Sequence, residues 1–158
     1  MKVQELMTSP VQVCHPEDTL STAAEKMWVH DIGCLPVVDN TEHVIGMITD
    51  RDICMAAYTQ GRSLSELPVA NAMSKEIYTC TENDSIKDAE EALRSHQIRR
   101  LPVLNEKNDL AGIVSLNDIA REAEREIGLK GREISTQEVT ATLATVSQPR
   151  HHNGPTVS

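Results

Sequence analysis

Displaced by 66 positions, the chain matches itself without a gap, and this internal repeat limits the possible folds more than any other feature. Met7 falls on Met73, Cys14 on Cys80, Asp18 on Asp84 and Ala23 on Ala89. His30 falls on His96, Ile32 on Ile98, and Leu35-Pro36-Val37 on Leu101-Pro102-Val103. Gly46 falls on Gly112, and Asp52-Ile53 on Asp118-Ile119. Two copies are too few for an elongated solenoid. They suit a face-to-face pair with pseudo-twofold symmetry.

Each copy reads in the same order, β-α-β-β-α. In the first, Val11–Cys14 alternates and is β-prone. Asp18 or Thr19 then offers an N-cap. Leu20, Ala23, Ala24, Met27 and Trp28 follow at helical spacing as one apolar stripe, with Gly33 as a left-handed stop. Leu35–Asp39 and Val44–Thr49 form a hairpin around Asn40-Thr41-Glu42. A second helix is expected over Arg51–Tyr58, with Asp50 as its cap. The second copy gives Ile77–Cys80, Ile86–His96, Leu101–Leu104, Leu110–Ser115 and Asn117–Ile127. Residues 1–66 thus hold the first repeat with its N-terminal segment and linker, and 67–128 hold the second, the linker chemistry of Thr59–Pro68 running across that boundary. Residues 129–158 form a C-terminal extension with a short capped helix over Ser135–Val146 and a disordered tail from Ser147.

Composition removes several function classes. With no Phe, one Trp (Trp28) and two Tyr, the core must be aliphatic, and stacking platforms for single-stranded nucleic acid are nearly absent. Fifteen Lys and Arg against 24 Asp and Glu leave a net charge of −9, which opposes extended contact with a phosphate backbone. No apolar run approaches the ~20 residues that span a bilayer. The opening MKVQELMTSP lacks a signal-peptide apolar region, so a cytoplasmic location is expected. Cys14, Cys34, Cys54 and Cys80 contain no C-x-x-C pair and read as thiols, Cys14 and Cys80 as core packing. No nucleophile, P-loop or zinc-protease motif is present, so the chain reads as non-enzymatic. His30 and His96 near helix ends read as dipole partners, and His151-His152 as at most adventitious metal binding. Trp28 reads as a core or interface residue.

The chemistry-bearing segments are GMITDRD, residues 46–52, and GIVSLND, residues 112–118. Each places a Gly in a strand, a hydroxyl residue (Thr49, Ser115) at the strand end and an Asp (Asp52, Asp118) in the first helical turn. Helix N-termini present unpaired N–H groups that favour anions. A carboxylate is acceptor-only and can receive both hydroxyls of a ribose diol. A strand Gly lets a flat ring approach the backbone. A lone Asp here is as well explained by the helix dipole; two in register argue for a site.

With IGCLPV (32–37) and IRRLPV (98–103), these segments resemble the tandem CBS domain (named for cystathionine β-synthase), or Bateman module, over roughly residues 3–125. The resemblance implies an α/β (α+β) pair of repeats packed around a pseudo-twofold axis, with clefts for AMP, ADP, ATP or S-adenosylmethionine as a regulatory ligand rather than an obligatory cofactor. It implies that Asp52 and Asp118 hold ribose and that Thr49 and Ser115 lie near sugar or phosphate. Thr8, Pro10 and Val11, or Ser74 to Ile77, and Ile32, Cys34, Pro36, Ile98 and Pro102 would enclose adenine. Arg99 and Arg100 would reach phosphates held by the other repeat. The Asp52 cleft, with Arg51, should take the phosphorylated ligand; the Asp118 cleft, with Leu116 and Asn117, should be weaker or suited to a less charged ligand. A homodimer and a separate effector protein are expected partners. The competing expectations are a structural dimerisation module with empty clefts and a thiol-based redox sensor.

Overall fold

The computed structural model describes residues 1–149. In the first repeat, α1 (Leu20–His30) leads to the antiparallel hairpin β1 (Cys34–Val38) and β2 (Val44–Thr49), then α2 (Asp50–Gln60). In the second, β3 (Cys80–Thr81) precedes α3 (Ile86–Ser95), the hairpin β4 (Arg100–Leu104) and β5 (Leu110–Ser115), and α4 (Leu116–Arg125). The helix α5 (Thr136–Val146) follows, capped by Ser135. Both hairpins slip register at the same place, between Val37 and Val38 and between Val103 and Leu104. Of the tail expected to be disordered from Ser147, the part from residue 150 onward, with the His151-His152 pair, lies outside the described residues.

Each repeat has its own aliphatic core, as a chain without Phe requires. Leu20, Leu35, Val37 and Ile48 are fully buried in the first, and Leu93, Leu101, Val103 and Ile119 in the second. The leading segments, however, change places. Val3, on a short 3-10 turn (Val3–Glu5), is fully buried in the core of the second repeat. Val69, its equivalent at Val69–Asn71, is fully buried in the core of the first. Beyond each turn the backbone bridges the hairpin of the opposite copy. Thr8 exchanges hydrogen bonds of 2.8 and 3.1 Å with Ile113, and Ser74 exchanges bonds of 2.8 and 3.0 Å with Met47.

This crossing explains why the expected leading strands are short. Val11–Cys14 is not a strand: only Cys14 bridges Val37, and Ile77–Cys80 reduces to Cys80–Thr81 beside β4. A segment that starts on the opposite repeat lies beside its own sheet only at its far end. The strand glycines serve the same crossing. A Cβ on Gly46 would lie 2.8 Å from the Ser74 carbonyl oxygen, and one on Gly112 3.0 Å from that of Thr8. The space expected to admit a flat ring is filled by Met73-Ser74 and Met7-Thr8.

Three further expectations change. Gly33 does not stop α1; Asp31 does, at φ 52°, and Gln97 takes the equivalent position at φ 51°. Asp is among the few non-glycine residues that visit this region readily. The cap of α2 is Thr49, not Asp50. Of the two places expected for Trp28, core or interface, the core is excluded: it is 88% exposed. Cys14 and Cys80 do pack in the cores, and His96 stacks on Tyr78 at 3.6 Å between ring centroids.

Candidate functional site

The two strand-to-helix junctions have one design. Thr49 Oγ1 accepts from the Asp52 backbone N–H at 3.2 Å, and Asp52 Oδ2 accepts from the Thr49 N–H at 2.9 Å. Ser115 and Asp118 repeat both bonds at 3.2 and 2.9 Å, and Ser115 Oγ also donates to Asp118 Oδ2 at 2.6 Å. This is a reciprocal capping box, in which hydroxyl and carboxylate each satisfy a backbone N–H. The structural and the functional readings of these aspartates are therefore compatible. In each, one oxygen suffices to cap the helix, and the cap leaves the other unused.

That second oxygen differs between the junctions. Asp118 Oδ1 accepts from Arg121, one turn along α4, and Asp118 is 8% exposed. The residue equivalent to Arg121 is Met55, so the Asp52 Oδ1 has no hydrogen bond from the described residues. Arg121 was not singled out from the sequence, although its spacing from Asp118 is the i,i+3 of a helical ion pair.

The opposite repeat contributes to each junction. The segment Ser74 to Ile77 starts on β2, the strand that ends at Thr49, and the segment Thr8 to Val11 starts on β5, which ends at Ser115. Arg100, at the start of β4, reaches the beginning of α2. A Cβ on Gly33 would lie 3.8 Å from its Nη2 and 3.2 Å from Asp50 Oδ2, and the Asp50 N–H is bonded to the Gly33 carbonyl at 3.1 Å. Cys34 and Arg100 are equivalent residues of the two copies and lie close to one another. Burial raises the Cys34 thiol pKa, the Arg100 charge pulls it down, and Asp50 pushes it up again. Asp50 thus enters as an acidic group facing Arg100, a role that the sequence reading missed by assigning it the cap.

The other expected residues divide by exposure. Thr8, Pro10, Ile32, Arg51, Arg99 and Asn117 are exposed, and Val11, Ile77 and Ile98 are half-buried. Cys34, Pro36 and Pro102 are buried within their strands. Two open hollows lie on the described surface. One, of about 290 Å³, lies between Ser9, Pro10 and Val11 of the leading segment, Val38 and Glu42 of the first hairpin, and Leu110 of β5. The other, of about 300 Å³, opens on the helical face of the first repeat beside Trp28 and Ile32. Neither takes Asp52 or Asp118 into its wall. Among the described residues no helix is long and apolar enough to cross a membrane, and no group of three or more His, Cys, Asp or Glu is placed to hold a metal.

The family model for the CBS domain matches residues 3–58 and 66–125. The CBS domain-containing protein YhcV of Bacillus subtilis is 41% identical over 118 residues, 75% of this chain and 82% of that protein. The crystal structure of Hypoxic Response Protein I with two coordinated zinc ions superposes with a TM-score of 0.69 at 34% identity, over 77% of this chain and 98% of that one. The CBS domain pair of protein MJ0100, in complex with 5-methylthioadenosine and S-adenosyl-L-methionine, gives a TM-score of 0.69 at 25% identity, again over 77% and 98%.

Proposed function

Because the chain belongs to the CBS domain family and carries two copies of that domain, we propose that it is a regulatory module that senses an adenosyl ligand. The observation that carries this reading is the Asp52 junction. One carboxylate oxygen caps α2, the other has no hydrogen bond from the described residues, and the Arg100 guanidinium from the opposite repeat stands at the same helix start. A ribose diol has the donors this carboxylate lacks, and an anionic phosphate suits both the arginine and the helix N-terminus. The similarity to a CBS pair that holds 5-methylthioadenosine and S-adenosyl-L-methionine supports an adenosyl ligand as the class. AMP, ADP or ATP is the phosphorylated form that Arg100 favours.

Thr49, Arg51, Asp52, Ile77 and Arg100 form the stronger cleft in this reading, with Ile98, Arg99 and Pro102 beside it. Thr8, Pro10, Val11, Ile32, Cys34, Pro36, Ser115, Asn117 and Asp118 belong to the weaker one. The molecule performs no chemistry on the ligand. It works as a homodimer, and its output passes to a separate effector protein. Binding shifts the dimer between states only by the ligand's differential affinity for them.

Calorimetric titration and thermal unfolding of the full chain with AMP, ADP, ATP, S-adenosylmethionine and 5-methylthioadenosine test the proposal. A ligand at 100 times its dissociation constant adds about 2.7 kcal/mol of apparent stability. Neither heat of binding nor thermal shift with any of them would leave the second reading, a structural module with empty clefts. That reading has its own support in Asp118, whose free oxygen Arg121 already holds. The redox reading is weakened by burial, which pushes the Cys14 and Cys80 thiols up to about 12.

A further inference from the structure

Helix α4 and its C-cap carry three acids at i, i+4 and i+8, Asp118, Glu122 and Glu126, and each is 8% exposed. Each has its own partner. Arg125 Nη2 donates to Glu122 Oε1 at 2.7 Å, and Glu126 accepts from the backbone N–H groups of Glu133 and Ile134, both at 2.9 Å. Arg121 Nη2 donates to Asp118 Oδ1. At the same offset of 66 the first repeat has Asp52, Ala56 and Gln60, with Met55 and Thr59 in place of the arginines. Only the aspartate is shared, so Arg121 is an addition of the second repeat to a junction that both repeats possess. The other two pairs tie α4 to itself and to the approach of α5. Arg121 alone acts on a residue of the junction.

Arg121 is a movable partner. Its side chain is 75% exposed, and among the described residues it has no other hydrogen bond. The Asp118 side chain is nearly buried, with Oδ2 committed to Ser115. A sugar diol must therefore take Oδ1 and send the guanidinium away. An uncharged ligand exchanges a charge-assisted bond for neutral ones and leaves a buried carboxylate without its countercharge. A ligand with its own phosphate returns an acceptor to the freed arginine, whose planar fork matches phosphate, at a helix start that favours anions. Arg121 thereby supplies from its own helix the cation that Arg100 supplies from the opposite repeat at the start of α2; the residue equivalent to Arg100 is Cys34. At Asp52 nothing has to be displaced, because Oδ1 has no hydrogen bond from the described residues.

We propose that Arg121 is the specificity residue of the Asp118 junction: it refuses uncharged adenosyl compounds there and admits phosphorylated ones, so that the number of occupied junctions per chain reads the charge of the ligand. The proposal deepens the sensor reading above and rests on it. Leu116 and Asn117 taken alone suggest a less charged ligand for this cleft; with Arg121 the preference turns to a phosphate.

Calorimetric titration of the full chain tests this with two ligands that share adenosine, 5-methylthioadenosine without a phosphate and AMP with one. The wild type should take one equivalent of 5-methylthioadenosine and two of AMP, the second more weakly. Asp52→Ala, which leaves only the guarded junction, should bind AMP alone. Arg121→Met should take a second equivalent of 5-methylthioadenosine, with the preference for AMP at that junction falling about tenfold or more. Arg121→Lys keeps the cation and should still take one. A role in stability alone cannot add a site, so the gain separates specificity from structure. Two equivalents of 5-methylthioadenosine in the wild type, or only one of AMP, overturns the guard while the sensor stands. So does an Arg121→Met chain that folds and gains no site. Should that variant not fold, the wild-type counts decide by themselves. No binding of either ligand at either junction removes sensor and guard together.

Discussion

Three positions beyond Asp118 the chain has Arg121, and three beyond Asp52 it has Met55. In the proposed reading this difference, with Arg100, ranks the two junctions, because Arg121 holds the Asp118 oxygen that a sugar would use. Asp52→Ala should therefore lower nucleotide affinity at least tenfold, and Asp118→Ala only slightly, by calorimetry; equal losses would show the ranking to be wrong. Arg121→Met should add a second site per chain. It removes a partner of a buried carboxylate and should cost roughly 1–3 kcal/mol in stability. The thiols give a second test at this scale. Cys54 is exposed and the other three are buried, so at pH 8 a thiol reagent should label one cysteine quickly and the rest only on unfolding. Cys14 and Cys80 have their pKa raised to about 12 by burial, with Asp18 and Asp84 adding to the effect. Each contributes stability that is fully present below the unfolded thiol value near 8.5 and is lost as pH climbs from there through 12. The two aspartates and their hydroxyl partners were legible in the sequence because capping and the proposed ligand contact ask for the same residue types. The capping role of Thr49 over Asp50 was not, since either residue caps well.

At the scale of elements, the hairpins and helices follow from periodicity and turn residues, and Val44–Thr49 and Leu110–Ser115 were read to the residue. The leading strands were not, because alternation marks a β-prone segment without saying which sheet it joins. The crossing that shortens them makes Gly46 and Gly112 unequal. At Gly46 a Cβ meets the Ser74 carbonyl at 2.8 Å, a backbone atom that cannot swing away; at Gly112 the Thr8 carbonyl lies at 3.0 Å and the rest of the clash is the Met7 thioether. Gly46→Ala should cost roughly 1–3 kcal/mol in urea unfolding, and Gly112→Ala less, because methionine can move. A larger loss at Gly112 would mean that the Met7 side chain is as fixed as a backbone.

For the whole molecule, the exchange of leading segments decides whether two repeats behave as one unit. Val3 and Val69 are equivalent residues, so the repeat itself extends to them, but no local pattern reveals that each packs in the other copy's core. If each core is completed by a segment that precedes the opposite repeat, neither can unfold while the other stays intact. Cys14 lies in the first core and Cys80 in the second, both buried, so thiol labelling reads the two cores separately. Both should become reactive at the same urea concentration, coincident with the loss of helical circular dichroism, as a single cooperative transition requires. Val3→Ala, a change at the third residue of the chain, should cost about 2 kcal/mol and lower the midpoint for Cys14 as much as for Cys80. Exposure of Cys80 at a urea concentration where Cys14 remains protected would mean that the swapped segments decorate two independent repeats rather than join them. A ligand held at one junction could then not alter the other.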